Sequence, residues 1–287
     1  MPRPLLLADA PGLLYRAFFA LPDSITAPDG RPVNALLGSV NQMLQVIEQH
    51  DPRAVVACFG QESATYRTDA FPTYHAHRPP MPAALAEQWR RAPGLYAALG
   101  WLVAPSEDLE ADDLLHSFAL AEVEAGGEAL ILTGDRDMFQ CVTDRVRVLL
   151  QGGAKGEPLE MGPGDVSARY GVRPDQVPDF IALRGDPSDG IPGAKGIGEK
   201  TAADLLKRHD TLEAALAAPI REKPTVRRAL IDQADELRMF RDVATLRVAD
   251  VARPSDAPTD WASAAAAARE LGMQRLAERL EKAGATA

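Results

Sequence analysis

The apolar positions change their period along the chain. Between residues 34 and 49 they fall at Leu36, Leu37, Val40, Met43, Leu44 and Ile47, the spacing of a helix with one buried face. The runs LLL (5–7), AVVACF (54–59), ALILT (129–133) and VRVLL (146–150) are short and largely apolar, which predicts buried strands. Residues 105–124 carry Leu109, Leu114, Leu115, Phe118 and Leu120 on one side and predict a further helix. Apolar strands separated by helices imply an α/β fold, with a mostly parallel sheet flanked by helices.

Residues 61–93 break this rhythm. Pro72, Pro79, Pro80, Pro82 and Pro93 are mixed with Arg67, His75, His77, Arg78, Arg90, Arg91 and aromatic residues. A packed element is not expected through this stretch; a projecting, partly helical segment is. Residues 151–165 are rich in Gly and Pro and mark a hairpin or boundary. Beyond them the pattern is helical, over 177–183, 199–208, 212–217, 225–232 and from 234 onward. Residues 261–283 read as one alanine-rich capping helix that packs back. The division expected is a first domain over 1–160 and a helical second domain over 161–287.

Composition narrows the class. The 287 residues are 46% hydrophobic and 25% charged, ordinary for a globular protein. Cys58 and Cys141 lack metal-type spacing, and reduced thiols suit a cytoplasmic location. The N-terminal apolar run is too short for a signal peptide, and no window approaches the roughly 20 apolar residues that span a bilayer. A formal charge of −10 counts against a polyanion binder held by bulk charge alone.

The acidic residues are placed unevenly. Asp9 follows the first strand, and Asp135 and Asp137 follow the strand ALILT in TGDRD. In open α/β sheets, sites form beyond the carboxyl ends of strands. Glu110, Asp112 and Asp113 lie at a helix start in LEADDLL, and Asp186 and Asp189 in the loop GDPSDG. Taken singly, such residues serve equally well as helix caps or turn formers. Taken together, close carboxylates repel and resist ionisation unless cations are bound. Mg²⁺ and Mn²⁺ favour such hard oxygen ligands. A pair of ions ~3.5–4 Å apart activates water and stabilises the leaving oxygen in phosphoryl displacement.

The stretch IPGAKGIGEKTAA places Gly193, Gly196 and Gly198 ahead of a helix near Glu199. Amides at a helix N-terminus bind anions, and glycines let a phosphate approach. Lys195 and Lys200 add charge. A nucleotide P-loop needs Gly-Lys-Ser/Thr, but Glu199 follows Gly198. A dinucleotide loop should follow a strand, but Pro192 and a polar turn precede this one. A plain helix–turn with glycines for sterics is the other reading.

Together, LLLADAPGLLYRAFFALP, LEADDLLHSFA, ILTGDRDMFQ and LRGDPSDGIPGAKGIGEKTA resemble the 5′–3′ exonuclease and flap endonuclease family. That family includes the 5′ nuclease domain of bacterial DNA polymerase I and free-standing homologues. The resemblance runs from about residue 5 to 246. It implies a PIN-like core, an arch drawn from 61–93, and a helix–three-turn–helix domain that grips DNA. It implies Asp9, Glu110, Asp112, Asp113, Asp135, Asp137, Asp186 and Asp189 as metal ligands or their neighbours, holding two to three Mg²⁺ or Mn²⁺ ions. Arg16, Arg67, His75 and Arg78 would act at the substrate phosphate, and Tyr15 and Tyr74 would contact DNA. Gly193, Lys195, Gly196, Gly198, Lys200 and Thr201 would hold the duplex, with a K⁺ ion on backbone carbonyls.

The sequence departs from the family pattern at four places. Gly60 stands where an acid usually follows the second strand. His75 replaces the arch Lys of Tyr-Lys-x-x-Arg, within Tyr74-His75-Ala76-His77-Arg78. Gly190 and Ala10 replace a usual Asn and Gly. The reading expected is therefore a metal-dependent 5′–3′ exonuclease and 5′-flap endonuclease on DNA, monomeric and off the membrane, ending at Ala287 without a polymerase domain. The alternatives are a DNA-structure-binding homologue with weakened catalysis and a small PIN-type ribonuclease. The 191–203 motif counts against the latter.

Overall fold

The computed structural model describes residues 3–152 and 156–285. Residues 153–155 of the Gly/Pro-rich stretch lie outside the described residues. The first domain contains β1 (Leu5–Asp9), α1 (Ala10–Ala20), α2 (Asn34–His50), β2 (Ala54–Phe59), α3 (Thr65–Ala70), α4 (Ala83–Ala98), β3 (Leu102–Pro105), α5 (Ala111–Glu124), β4 (Ala129–Thr133), β5 (Val146–Leu150) and β6 (Leu159–Met161). Then follow α6 (Pro163–Tyr170), α7 (Val177–Arg184), α8 (Glu199–His209), α9 (Leu212–Ala217), α10 (Pro224–Asp232), α11 (Ala234–Ala244), α12 (Trp261–Glu270) and α13 (Gln274–Gly284). Among the described residues no helix is long and apolar enough to cross a membrane.

The sheet has the order β3-β2-β1-β4-β5-β6. All pairings are parallel except β5–β6. Continuously apolar strands suit such a sheet because both faces are covered. In β1, Leu5 and Leu7 enter one core, while Leu6 and Ala8 enter the other. The first core holds α5 and extends into α7, α8, α10 and α11. The second holds α1, α2, α4, α12 and α13. The chain builds outward from β1 to β2 and β3, then returns to place β4 on the other side of β1. This reversal opens a crevice beyond the ends of β1 and β4.

Three sequence expectations change. First, the segment 61–93 is not a projection throughout, because α4 is a core helix. Its Gln88 is fully buried. The Gln88 side chain accepts N–H bonds from Ala35 and Leu36 at 2.8 and 3.3 Å, closing the start of α2. Tyr96 donates its hydroxyl to Ser39 at 2.7 Å. The prolines concealed a helix that begins directly after Pro82 and contains Pro93.

Second, the helix expected from 105 starts at Ala111, behind edge strand β3. Ser106 accounts for the delay: its hydroxyl accepts the amides of Asp108 and Leu109 and forms a turn.

Third, the single helix expected over 261–283 is two helices, with Gly272 at φ 72° between them. They pack on the first domain, where Arg279 bonds Asn41 and Glu48 at 2.8 and 2.9 Å. A strap over 246–260 leads to them along α5. Its Arg247 and Ala249 amides donate to Asp113 and Ser117, each at 2.8 Å. Farther on, Arg253 and buried Arg53 pair with buried Glu122.

Candidate functional site

The crevice beyond β1 and β4 contains a cavity of about 430 Å³. Asp9, Glu110, Asp112, Asp135 and Asp189 line it, with Tyr15, Arg78, Met81 and Trp89. Asp9 ends β1 and caps α1 by accepting the Gly12 amide at 2.9 Å. The Thr133 hydroxyl, at the end of β4, donates to its other oxygen at 2.8 Å. The first turn of α1 and the end of the adjacent strand β4 thus fix the carboxylate from two sides. Asp135 accepts the Asp137 amide at 2.8 Å, so the chain turns here. A 3₁₀ turn then runs over Asp137–Cys141.

The electrostatics follow from crowding. Burial raises the Asp9 carboxyl above the usual carboxylate range, against the lowering bonds from Gly12 and Thr133. Burial, then Asp135 and Asp9, push Asp112 well up. Burial lifts Asp135 to about 6, with Asp189, Asp9 and Asp186 adding to the rise. Burial, Asp135, Asp189 and Asp186 push up Asp137. Six aspartates from β1, α5, the β4 turn and the loop at 186–189 therefore form one repelling set. Asp137 and Asp186 stand behind the lining; Asp186 is held by Arg184 and Ser188.

These residues suit divalent ions by chemistry, since each ionised carboxylate needs a compensating positive charge. Among the described residues no three His, Cys, Asp or Glu side chains converge as a closed metal cage. The carboxylates instead frame a space. Such hard oxygen donors suit a divalent cation.

Of the other expected residues, Tyr74, His75 and Arg78 also border the cavity, while Asp113, Arg67 and Arg16 are not in its lining. Asp113 does not face the cavity. It is fully buried, and Tyr66, Arg67, the Glu110 amide and the Arg247 amide occupy its oxygens. Arg67 is 3% exposed and cannot present its charge to a phosphate. It pairs with Glu110 at 2.9 Å and Asp113 at 3.1 Å, and donates to the Val243 carbonyl. Tyr74 is also buried, donating to Glu110 at 3.1 Å and stacking on His75 with centroids 3.7 Å apart. His75 is not a free arch cation: at φ 56° its Nε2 lies 3.1 Å from Asp189 and its Nδ1 3.0 Å from Ser63. Arg78, at the mouth, donates to Asp189 at 3.2 Å. Arg16 is exposed beside Gly134 and a neighbouring smaller cavity.

Gly60 has a steric explanation. A Cβ there would lie 2.4 Å from the Ala111 nitrogen and the Glu110 carbonyl carbon. The backbone at the start of α5 occupies the place of a side chain. Thr133, Trp89 and Met81 went unnoticed in the sequence; Thr133 alone carried a signal, as the residue directly before the Gly-Asp turn.

The glycine-rich turn lies between α7 and α8. Gly193 has φ 70°, and a Cβ on it would lie 2.3 Å from the Gly185 nitrogen. Ile197 and Ala194 anchor the turn in the core, while Lys195, Gly196, Gly198 and Lys200 are exposed. Gly198 caps α8, whose first turn holds Lys200 and half-buried Thr201.

Comparison with known proteins gives a consistent result. Residues 4–171 match the family "5′-3′ exonuclease, N-terminal resolvase-like domain", and residues 172–264 match "5′-3′ exonuclease, C-terminal SAM fold". A 5′-3′ exonuclease of Mycobacterium tuberculosis is 38% identical over 250 residues, covering 80% of this chain and 78% of its own. Thermostable DNA polymerase I of Thermus aquaticus is 37% identical over 242 residues, which are 84% of this chain but 28% of the polymerase. The T5 D15 protein co-crystallised with metal ions superposes with TM-score 0.71 at 16% identity, covering 98% of this chain and 97% of that one. The catalytic core of Rad2 in complex with DNA superposes with TM-score 0.64 at 11% identity, covering 97% and 90%.

Proposed function

We propose, for a chain that belongs to the 5′-3′ exonuclease family, that it hydrolyses DNA at 5′ ends and 5′ flaps with two or three divalent cations. The observation that carries this reading is the convergence of Asp9, Glu110, Asp112, Asp135 and Asp189 on one cavity at the sheet's switch point, where burial and neighbouring carboxylates raise Asp112 and Asp135. The T5 D15 flap endonuclease, crystallised with DNA and metal ions, shares the fold at TM-score 0.70 and 17% identity, which supports the choice of substrate class.

In this reading Asp9, Asp112, Asp135 and Asp189 hold the cations, with Glu110, Asp137 and Asp186 beside them. Bound Mg²⁺ or Mn²⁺ supplies Lewis-acid charge for the phosphate and favours deprotonation of a nearby water. The protein's own contribution is orientation. Thr133 and the Gly12 amide fix the Asp9 oxygens, and the Asp137 amide fixes Asp135. Arg78 meets the phosphate at the mouth, and Tyr15 faces the strand being cut. The turn 193–201 would grip the duplex backbone through its exposed amides, Lys195 and Lys200, and a K⁺ ion bound there would supply further positive charge toward the phosphates.

A binding-only homologue has no specific support. Gly60 is accommodated by the α5 backbone, and His75 by Asp189 and Ser63. The test is cleavage of labelled 5′-flap, nicked and blunt DNA with Mg²⁺ or Mn²⁺. Asp112→Ala and Asp135→Ala should abolish it. Robust cleavage without metal, or cleavage indifferent to both substitutions, would overturn the reading.

A further inference from the structure

Asp112 and Asp113 are neighbours, yet one faces the cavity and the other is sealed away. About 100° separates successive positions on a helix, so the rotation of α5's first turn decides what Asp112 reaches. Asp113 is anchored on the sealed side of that turn. At 0% exposure, its carboxylate accepts the Tyr66 hydroxyl at 3.0 Å, Arg67 Nη2 at 3.1 Å, the Glu110 amide at 3.2 Å and the Arg247 amide at 2.8 Å. A buried charge needs such donors, and losing one is costly.

The donors come from separate parts of the chain. Tyr66 and Arg67 belong to α3, and Glu110 precedes α5. Arg247 opens the strap that leaves α11. Arg67 also reaches into α11, donating Nε to the Val243 carbonyl at 3.1 Å. Its other edge holds Glu110 at 2.9 Å. Residues 243 and 247, on either side of the α11 exit, are therefore gripped by the same ion pair that holds the start of α5. α11 packs on α7, which leads into the turn at 193–201.

We propose that Asp113 is a positioning residue: through Arg67 and the Arg247 amide, it makes the aim of Glu110 and Asp112 depend on the seating of the second domain. This rests on the nuclease reading above. A shift of about 1 Å in a reacting constellation can cost 10²-fold in rate, so a loosened first turn is felt in chemistry before binding.

The test measures single-turnover cleavage at saturating 5′-flap DNA, with DNA affinity measured separately in EDTA and folding followed by thermal melting. Asp113→Asn should lower the single-turnover rate about tenfold or more. DNA affinity should stay within about twofold, and excess Mg²⁺ should not restore the rate. Arg247→Pro deletes the amide donor and should reproduce the loss; Arg247→Ala keeps the N–H and should not. A parental rate with only a lower melting temperature would reduce Asp113 to a helix cap. Restoration by excess Mg²⁺ would make it a direct ligand. Equal rates for the two Arg247 variants would remove the second domain from the argument. If the parent cuts no DNA, the nuclease reading fails. The coupling then still stands or falls on hydrogen exchange at residues 110–114, which Arg247→Pro must quicken and Arg247→Ala must not.

Discussion

Raising the pH of the metal-free protein from about 5 to about 7.5 is expected to destabilise it, and added Mg²⁺ to reverse the loss. The cause is the burial of the site aspartates, with repulsion among them adding to it. A carboxyl whose folded pKa is raised binds more protons folded than unfolded between the two values, so stability falls as pH rises through that window. Asp135 moves from 3.8 to about 6. Integrating the linkage over the chosen range gives about 1.4 kcal/mol for Asp135 alone. Asp112 and Asp137 are raised further and add to it over a higher range. Unfolding entropy near 2.1 cal/mol/K per residue makes 1.4 kcal/mol about 2 °C in this 287-residue chain.

Two other sets of groups must be separated from this effect. Glu122 and Glu222 are lowered in the fold, chiefly by Arg53 with Arg253 and by Arg208 with His209 against their burial. Their stabilisation is present above the unfolded pKa and does not change in this window. His116 is lowered by burial and titrates the opposite way, adding stability up to its unfolded pKa. The informative quantity is therefore the difference in melting temperature between the parent and Asp135→Asn, followed against pH with EDTA and then with Mg²⁺. Asn cannot ionise, so the variant should overtake the parent as pH rises. A difference that is flat or of the opposite sign would refute the electrostatic argument. A Mg²⁺ effect equal in both proteins would refute the role of Asp135 in holding the ion.

Gly60→Asp should not add a ligand. Its Cβ meets backbone at 2.4 Å, so urea melts should show a loss of about 1–3 kcal/mol or more, and cleavage should fall. Arg53→Met leaves Glu122, 1% exposed at its side chain, with only Arg253. It should cost about 3–5 kcal/mol in urea melts, and Arg53→Met with Glu122→Leu should recover much of that. Lys195→Ala and Lys200→Ala should each weaken DNA binding and lower the slope of log affinity against log salt by about 1, with little change in single-turnover rate. Gly193→Ala combines φ 70° with a Cβ 2.3 Å from the Gly185 nitrogen, so it should unsettle the turn and abolish tight duplex binding while β-sheet circular dichroism is kept.

What the chain reveals on inspection depends on whether an interaction is local. The runs 54–59, 129–133 and 146–150 coincide with β2, β4 and β5 because continuous apolar strands occur where a sheet is covered on both faces. An acid at or just past the end of such a run lies at the carboxyl end of the sheet, which is why the sequence alone pairs Asp9 with Asp135. Asp112 and Asp113 could not be told apart in the same way. Both are acids in the first turn of one helix. What turns Asp113 inward is an amide 134 residues away and an arginine 46 residues before it. His75 is the same case, since its position is set by Asp189, 114 residues on. α4 was hidden by its prolines because the residue that justifies it, Gln88, works by capping a different helix. The misread side chains Asp113, His75 and Gln88 share one property: their roles depend on long-range polar partners, which hydrophobic periodicity does not record, whereas the late start of α5 and the break at Gly272 come from local turns. For Asp113 those partners join α3, the start of α5 and the strap after α11, so a contact with no local signature in the sequence ties the carboxylate-bearing turn to the second half of the chain.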